Sequence, residues 1–304
     1  MRDVFRIAAN WLKEKRQFAL ATLVELCEAA TAPIGTTIAV DETGRVFGNI
    51  GAGCYESDIV AACLETACDG KTRWLDINLT SDDVILGGTA CGAVMRLAVW
   101  RPGEFFARTA RDIAAGREAT RLTIDGFEHI FPPKDTLVLV GATTLAAELA
   151  TIASRLDFHV VVVDPRPAFA TKERIADAHE IVRAWPDEYL PGVLSERTPV
   201  VVLSHDPKFD LPALRCALQS DAPYIGLLGS RRSQAARRAS LREEGFDDAA
   251  LARIHGPAGL DLGGVTVGET ALSILAEIVA ARRGGAGSPL TSAGGAIHHT
   301  VCVP

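Results

Sequence analysis

The fold of this chain is decided by the stretch TLVLVGATTLAAELATIASRLDFHVVVVD, residues 136–164. It begins with a continuous apolar run, Thr136–Val140, as a strand covered on both faces requires. A glycine turn, an apolar helix over Leu145–Leu156 and a second apolar run over Val160–Val163 follow. A strand, a helix and a second strand in this order predict a βαβ unit of a parallel sheet.

The same alternation continues towards the C-terminus. Further apolar runs at Pro199–Ser204 and Tyr224–Leu228 predict a third and a fourth strand. Helices are predicted at Leu211–Gln219, Arg231–Glu244 and Glu269–Arg283. We therefore predict a Rossmann-like, doubly wound α/β domain over residues 135–283. Residues 284–304, rich in Gly, Ser and Ala, are expected to form a flexible tail.

The first part of the chain, residues 1–130, has a different pattern and is predicted to be a separate α+β domain. Helices are expected at Val4–Lys15 and Glu56–Cys68, and strands at Phe18–Leu26, Thr36–Val40, Arg45–Ile50, Thr72–Leu79 and Val94–Trp100. The stretch Glu104–Ile130 is expected to add a helix and a hairpin. Phe131-Pro-Pro-Lys134 is interpreted as the linker between the two domains.

Composition excludes several classes of protein. The net charge of −7 argues against a nucleic-acid partner, because phosphate binding needs a basic surface. No apolar run approaches the roughly 20 residues of a membrane helix, and Met1–Arg16 does not have the pattern of a signal peptide. The seven cysteines form no C-x-x-C pair, which favours free thiols. We therefore expect a soluble cytoplasmic protein.

The glycine loop after the first strand of the α/β domain only partly fits a dinucleotide fingerprint. The three glycine positions of G-x-G-x-x-G are occupied by Gly141, Thr143 and Ala146, so a β-branched residue stands where a pyrophosphate would come closest. Asp164 ends the second strand 23 residues after Gly141, where a ribose-binding acid belongs. The alternatives to dinucleotide binding are that the domain is a scaffold or that it binds another phosphorylated ligand. The helix N-terminus at Thr143–Thr144 can still hold an anion.

Two further strand ends carry polar residues, and ligands bind at this end of open α/β sheets. Gly229-Ser-Arg-Arg232 places a turn, a hydroxyl cap and two guanidinium groups at a helix N-terminus, which suits phosphate. Its alternative is a solvated basic helix, since Arg237 and Arg238 follow. Ser204-His-Asp206 makes His205 and Asp206 candidate site residues; the alternative is that Asp206 only caps a turn.

Two glycine-flanked cysteines are the chemical feature of the first domain. Cys54, in Gly51-Ala-Gly-Cys-Tyr-Glu56, precedes a predicted helix whose dipole favours a thiolate. Cys91 lies in the loop Gly87-Gly-Thr-Ala-Cys-Gly92. Two such thiols could hold a soft metal or carry sulfur, although a free cysteine is more often a core residue. A thiol hydrolase would need a partnered histidine, and this domain offers only His129, at its far end. A zinc site would need more His or Cys at ligand spacing.

In this order, these elements resemble the XdhC/CoxI family, whose members are accessory proteins for molybdenum hydroxylases such as xanthine dehydrogenase. In the first domain the resemblance rests on Ala21-Thr-Leu-Val24, Ala32-Pro33 with Gly35, Gly53-Cys-Tyr-Glu56 and Ala90-Cys-Gly92. In the second it rests on Val163-Asp-Pro-Arg-Pro167, Ser204-His-Asp206, Gly226-Leu-Leu-Gly-Ser-Arg-Arg232, Ile254-His-Gly-Pro257, Gly259-Leu-Asp-Leu-Gly263 and Ser273-Ile-Leu-Ala-Glu-Ile278. The chain departs from the family pattern at Ala52, Tyr55 and Ala93.

The resemblance implies a chaperone that binds the molybdenum cofactor (Moco), a phosphorylated pterin with a dithiolene-bound metal. It implies holding Moco during sulfuration by a cysteine desulfurase and delivering it to an apo molybdenum hydroxylase, and we expect a homodimer. Cys54 and Cys91 would be the thiols that contact molybdenum or carry sulfur. The candidate cofactor-binding residues are Gly53, Cys54, Glu56, Cys91, Gly92, Gly141, Asp164, His205, Asp206, Gly229, Ser230, Arg231 and Arg232. The rival hypotheses are an NAD(P)-dependent oxidoreductase and a pure interaction scaffold.

Overall fold

A computed structural model of the chain describes residues 2–27, 32–50, 56–78 and 94–292. The chain divides between Pro133 and Lys134 into two compact units. The first unit contains α1 (Asp3–Lys13), β1 (Phe18–Cys27), β2 (Thr37–Asp41), β3 (Val46–Phe47), α2 (Glu56–Asp69), β4 (Arg73–Asn78), β5 (Val94–Trp100), α3 (Phe106–Ala115), β6 (Thr120–Ile124) and β7 (Phe127–Phe131).

The first unit is built on an antiparallel sheet of five strands in the order β3-β2-β1-β5-β4. Ile59 and Cys63 of α2 pack on one face of the sheet, and Phe5 of α1 and Ile113 of α3 pack on the other. A hairpin of β6 and β7 completes the unit. The predicted α+β arrangement is thus confirmed, including the helix and hairpin expected between residues 104 and 130.

The second unit is the predicted α/β domain. It contains β8 (Thr136–Val140), α4 (Thr144–Arg155), β9 (His159–Val163), β10 (Glu180–Val182), α5 (Pro186–Tyr189), β11 (Val200–Val202), α6 (Pro207–Leu218), β12 (Ile225–Leu227), α7 (Arg231–Glu243), α8 (Asp248–Ala252), β13 (Ile254–His255) and α9 (Val267–Arg283). Its six strands are parallel and lie in the order β10-β9-β8-β11-β12-β13. Counted along the unit this order is 3-2-1-4-5-6, the arrangement of dinucleotide-binding domains. The predicted fold class is confirmed.

Alternation along the strands distributes the core between two helical layers. In β8, Leu137 faces a cluster that includes Leu149 of α4 and Ile274 of α9. Its neighbour Val138 faces the opposite cluster, which includes Leu214 of α6. Because successive strand residues point to opposite faces, one short strand contributes to both cores. The carboxyl ends of the strands therefore stand at one edge, between the two layers.

Two edge strands and one helix start of this unit differ from the sequence-based prediction. The strands β10 and β13 were not predicted, so β11 is the fourth strand of the domain and not the third. Helix α6 begins at Pro207, four residues before the predicted start, because Asp206 caps it. Among the described residues no helix has both the length and the apolar composition needed to cross a bilayer.

Candidate functional site

The strand order of the second unit reverses between β8 and β11, and ligands of open α/β sheets bind in the crevice at such a switch point. The loops that follow these two strands touch each other there. Gly141 has a φ of +108°, and a Cβ at this position would lie 3.2 Å from the backbone nitrogen of Ser204. A residue other than glycine would be strained by its backbone angle and crowded by the neighbouring loop. Gly141 is therefore required for the local geometry of the crevice.

Thr143 caps α4 with its own side chain. Its backbone is extended, with φ −100° and ψ 170°, and Oγ1 accepts a hydrogen bond of 3.2 Å from the backbone N–H of Ala146. The first N–H groups of a helix are the donors that an anion would use. One of those donors is therefore already occupied by the protein, which reduces what this helix end offers to a pyrophosphate.

Asp164, expected as a ribose-binding acid, uses both carboxylate oxygens within the protein. Oδ2 accepts hydrogen bonds from the Ala142 N–H at 2.8 Å and from Nη2 of Arg166 at 2.7 Å. Oδ1 accepts hydrogen bonds from the backbone N–H and from Nε of Arg166, both at 2.9 Å. The carboxylate is only 2% exposed. A ribose hydroxyl would have to displace one of these donors, so the arrangement does not match the free acid of a dinucleotide site.

The charge state of Asp164 follows from the same contacts. Burial alone would raise the pKa of its carboxyl group, but hydrogen bonds from Arg166 and Ala142 outweigh burial and lower the pKa below its ordinary value. Asp164 is therefore ionised at neutral pH and forms a fixed ion pair with Arg166.

Arg166 extends this ion pair across the carboxyl end of the sheet. Its guanidinium carbon lies 4.4 Å from the ring centroid of Phe169 and 5.3 Å from that of Phe209, a residue of α6. Phe209 in turn stacks on Trp185 at 5.2 Å. The hydrogen bond to Asp164 raises the pKa of Arg166. Arg166 was not among the predicted site residues, although an arginine two positions after the acid that follows the second strand is a usable signal.

The Ser204–Asp206 segment follows β11, which lies next to β8 in the sheet. Oδ1 of Asp206 accepts a 3.0 Å hydrogen bond from the backbone N–H of Lys208 and caps α6. Ser204 Oγ accepts a hydrogen bond from the Asp206 N–H at 3.0 Å. The capping alternative therefore accounts for the Asp206 side chain. His205 is exposed beside it, and no hydrogen bond of its side chain to another described residue is seen.

The Gly229–Arg232 segment forms the start of α7. Gly229 has a φ of +128°, and a Cβ there would lie 2.7 Å from Ser233 Oγ. Ser230 caps the helix through a 3.3 Å hydrogen bond from the Ser233 N–H to its Oγ. Arg231 and Arg232 are exposed and form no ion pair within the described part of the chain. They remain candidates for an anion, and a solvated basic helix end remains the alternative.

A buried ion pair joins α6 and α7 close to this segment. Arg237 Nε donates a 2.6 Å hydrogen bond to Oδ2 of Asp210, and the side chains of the two residues are 7% and 0% exposed. Arg237 Nη1 also donates to the carbonyl oxygen of Ser233 at 3.2 Å. Burial raises the pKa of Asp210, opposed by its hydrogen bond with Arg237. The pair fixes the helices that begin at the two neighbouring strand ends.

The carboxylate of Glu277 stabilises the loop after β13. Glu277 of α9 accepts hydrogen bonds from the Tyr224 hydroxyl at 2.6 Å and the Gly259 N–H at 2.7 Å. Its other oxygen lies 3.0 Å from Nδ1 of His255, whose ring stacks on Tyr224. Burial opposes ionisation of Glu277, but these hydrogen bonds lower its pKa, with the Tyr224 hydroxyl as the main contributor. The motifs around His255 and Glu277 thus join the last strand to the last helix.

Most of the candidate site residues of the first unit lie outside the described residues. Gly53, Cys54, Cys91 and Gly92 lie outside the described residues, whereas Glu56 is the exposed first residue of α2. The cysteines whose side chains are described are Cys63, Cys68 and Cys216. Burial raises the pKa of Cys63 to about 12 and also raises that of Cys216, so neither is an activated thiol. Within the described ranges no group of three or more His, Cys, Asp or Glu side chains could hold a metal ion.

Comparison with known proteins matches both parts of the chain. The model of the XdhC Rossmann domain matches residues 137–278, and the model of the XdhC and CoxI family matches residues 11–78. The molybdenum cofactor insertion chaperone PaoD of Escherichia coli K12 is 27% identical, over 92% of this chain and 88% of its own. A protein of Bacillus subtilis 168 described as a probable xanthine dehydrogenase subunit is 23% identical, over 90% of this chain and 95% of its own.

A solved structure has the same fold. It is a Bacillus halodurans protein described as a xanthine dehydrogenase, with a TM-score of 0.75 and 22% sequence identity over 95% of this chain and 98% of that protein. At this identity the likeness supports the architecture alone.

Proposed function

Because this chain belongs to the XdhC and CoxI family, we propose that it binds Moco and assists its sulfuration and its insertion into a molybdenum hydroxylase of the xanthine dehydrogenase type. The observation that carries the proposal is the similarity to a Moco insertion chaperone over 92% of the chain, which includes most of both units. The similarity to a probable xanthine dehydrogenase subunit supports the same class of client. An apo molybdenum hydroxylase is then the main partner.

The proposal assigns different parts of Moco to different residues. Cys54 and Cys91 would handle the molybdenum or sulfur end, since thiolates are suitable ligands for soft metals and carriers of sulfur. The sulfur would come from a cysteine desulfurase as a second partner, and we expect the chaperone to act as a homodimer. In the second unit, strand ends including Gly229–Arg232 would bind a phosphate group through backbone N–H groups and guanidinium groups.

Reconstitution of an apo molybdenum hydroxylase tests the proposal. The apo-enzyme is incubated anaerobically with Moco, a cysteine desulfurase and cysteine, with or without this protein, and recovered hydroxylase activity is measured. We expect more active enzyme with the wild type and a loss of this gain with Cys91→Ser. Cys68→Ser is the matched control, because Cys68 is exposed on α2 and away from both glycine-flanked loops in the sequence. An equal yield with and without the protein would refute the proposal.

An NAD(P)-dependent oxidoreductase is the second candidate, because the sheet has the strand order of dinucleotide-binding domains. The contacts at the first two strand ends disfavour it, since Thr143 after β8 caps its own helix and the Asp164 carboxylate after β9 is fully engaged. Calorimetry with NAD⁺ and NADP⁺ discriminates between the two functions. Micromolar binding with the adenosine ribose near Asp164 would favour the oxidoreductase. Binding of neither a dinucleotide nor Moco would leave an interaction scaffold.

A further inference from the structure

The guanidinium of Arg166 is held in one orientation by contacts on several sides. Its Nε and Nη2 donate to the two oxygens of Asp164, at 2.9 Å and 2.7 Å. The rings of Phe169 and Phe209 contact it from two different segments of the chain. Asp164 is itself fixed by the backbone N–H of Ala142. An arginine held in this way loses little conformational entropy when it binds a ligand.

Part of this guanidinium has no hydrogen-bond acceptor among the described residues. Among the described residues, no hydrogen bond occupies Nη1, and Nη2 uses only one of its two N–H groups. The Arg166 side chain is 40% exposed, whereas Asp164 beneath it is 2% exposed. The Nη1–Nη2 edge therefore presents parallel N–H donors, the geometry that carboxylates and phosphates accept as a pair of hydrogen bonds.

The Nη1–Nη2 edge of Arg166 is linked to the glycine loop through Asp164. Oδ2 of Asp164 accepts hydrogen bonds from both Ala142 in that loop and Nη2 of Arg166, so only two hydrogen bonds separate the loop from the guanidinium. The N-terminus of α4 follows the same loop and favours negative charge. Asp206, which follows β11, is an acidic group close enough to act on Arg166, and it partly offsets this attraction.

We propose that Arg166 is the phosphate-binding residue of this crevice, taking a phosphate monoester on its Nη1–Nη2 edge, and that Asp164 is a positioning residue. The ligand class is an organic phosphate, which the terminal phosphate of a pterin and the 2′-phosphate of an adenosine share. The inference deepens the proposed function. It rests on that function only for the identity of the phosphate, which would be that of the pterin. Asp164 was expected to contact a ribose, whereas here Arg166 contacts an anion and Asp164 holds Arg166 in place.

The experiment measures binding of three probes to the full chain by calorimetry: Moco under anaerobic conditions, NADP⁺, and NAD⁺, which lacks the 2′-phosphate. The variant is Arg166→Lys, which keeps a positive charge beside Asp164 and removes the guanidinium fork. Arg174→Lys is the matched control, because Arg174 also contacts the Phe169 ring, at 5.3 Å, but has no hydrogen bond to Asp164. Thermal melts of both variants establish that they fold.

We expect Arg166→Lys to lower the affinity for a phosphate monoester probe by about tenfold or more, the loss typical of a charge-assisted pair of hydrogen bonds. Arg174→Lys should bind as the wild type does, and NAD⁺ should bind more weakly than NADP⁺ if the adenosine phosphate is accepted. In a ¹⁵N spectrum the Nη signals of Arg166 should shift with the probe, whereas its Nε signal, held by Asp164, should shift less.

The outcomes separate this inference from the proposed function. Moco binding that is equal in the wild type and Arg166→Lys would overturn the inference and leave the chaperone proposal standing. NADP⁺ binding that depends on Arg166, with no binding of Moco, would support the inference and refute the chaperone proposal. Equal weakening by Arg174→Lys, or no binding of any probe to the wild type, would overturn the inference.

Discussion

Replacing Asp164 by asparagine tests whether this residue is a structural clamp or a free ligand acid. In Asp164→Asn the side chain keeps its shape and one acceptor oxygen but loses its charge, and its NH₂ group faces a hydrogen-bond donor. Four donors converge on the wild-type carboxylate. Each oxygen accepts from two of these donors, so the two donors on the NH₂ side lose their acceptor.

The magnitude follows from which donors can reach water. The Arg166 side chain is 40% exposed, so its guanidinium can be rehydrated and its loss is small, about 0–1 kcal/mol. One backbone N–H loses its acceptor whichever way the amide lies, that of Ala142 on the Oδ2 side or that of Arg166 on the Oδ1 side, and this costs about 1–3 kcal/mol. We expect Asp164→Asn to lower the free energy of unfolding of the second unit by about 2 kcal/mol, which corresponds to a decrease of about 4–8 °C in Tm.

The effect should also depend on pH in a defined direction. The pKa of Asp164 is lowered in the folded state, so its stabilising contribution is present above the unfolded value of about 3.9 and is lost as the pH falls through the lower folded value. The difference between the wild type and Asp164→Asn should therefore be constant between about pH 5 and 7 and shrink below about pH 4. The asparagine does not titrate, so the change in the difference belongs to the carboxylate.

Urea unfolding combined with amide hydrogen exchange is the assay, because exchange at Ala142 reports the clamp locally even if the two units unfold separately. Asp221→Asn is the control, since Asp221 is exposed in the same unit and should change stability by less than about 0.5 kcal/mol. Equal stability and equal Ala142 protection in Asp164→Asn and Asp221→Asn at pH 7 would refute the clamp and restore Asp164 as a free ligand.

Two further predictions concern groups away from that clamp. Arg237→Met should destabilise the second unit by about 3–5 kcal/mol, measured by urea unfolding, because it leaves the carboxylate of Asp210 buried without its partner; a loss below about 1 kcal/mol would show that the pair is not buried in solution. Cys63 should resist a thiol-specific reagent at pH 8 until the chain is unfolded, since burial raises its pKa to about 12; labelling as fast as in denaturant, read by mass spectrometry, would contradict its burial.

Much of the fold could be predicted from apolar periodicity. The strands β8, β9, β11 and β12 are buried on both faces and appear as continuous apolar runs. The edge strands were missed because they are too short to show a period: β10 has three residues, Glu180 among them exposed, and β13 has two. Without these strands the sequence could indicate a parallel sheet but not its strand order.

The candidate site could be predicted less well, because its side chains pair over long separations. The ion pair of Asp210 and Arg237 spans 27 residues, and a solvated basic helix around Arg237 was the alternative that the sequence left open. A signal existed, since Gln234, Arg237 and Leu241 are spaced by three and four residues and form the buried stripe of α7. The engagement of Asp164 could not be predicted, because an acid that binds ribose and an acid that clamps its own loop have the same position in the sequence.

The most direct test of the chaperone proposal is binding of Moco by the isolated full chain. The protein is mixed anaerobically with Moco and separated by gel filtration, and molybdenum and pterin are measured in the protein fraction. The proposal predicts that molybdenum and pterin elute together with the protein in equal amounts, and that Cys91→Ser reduces the molybdenum. Elution of the protein free of both, while an apo molybdenum hydroxylase in the same solution takes up Moco, would contradict the proposal.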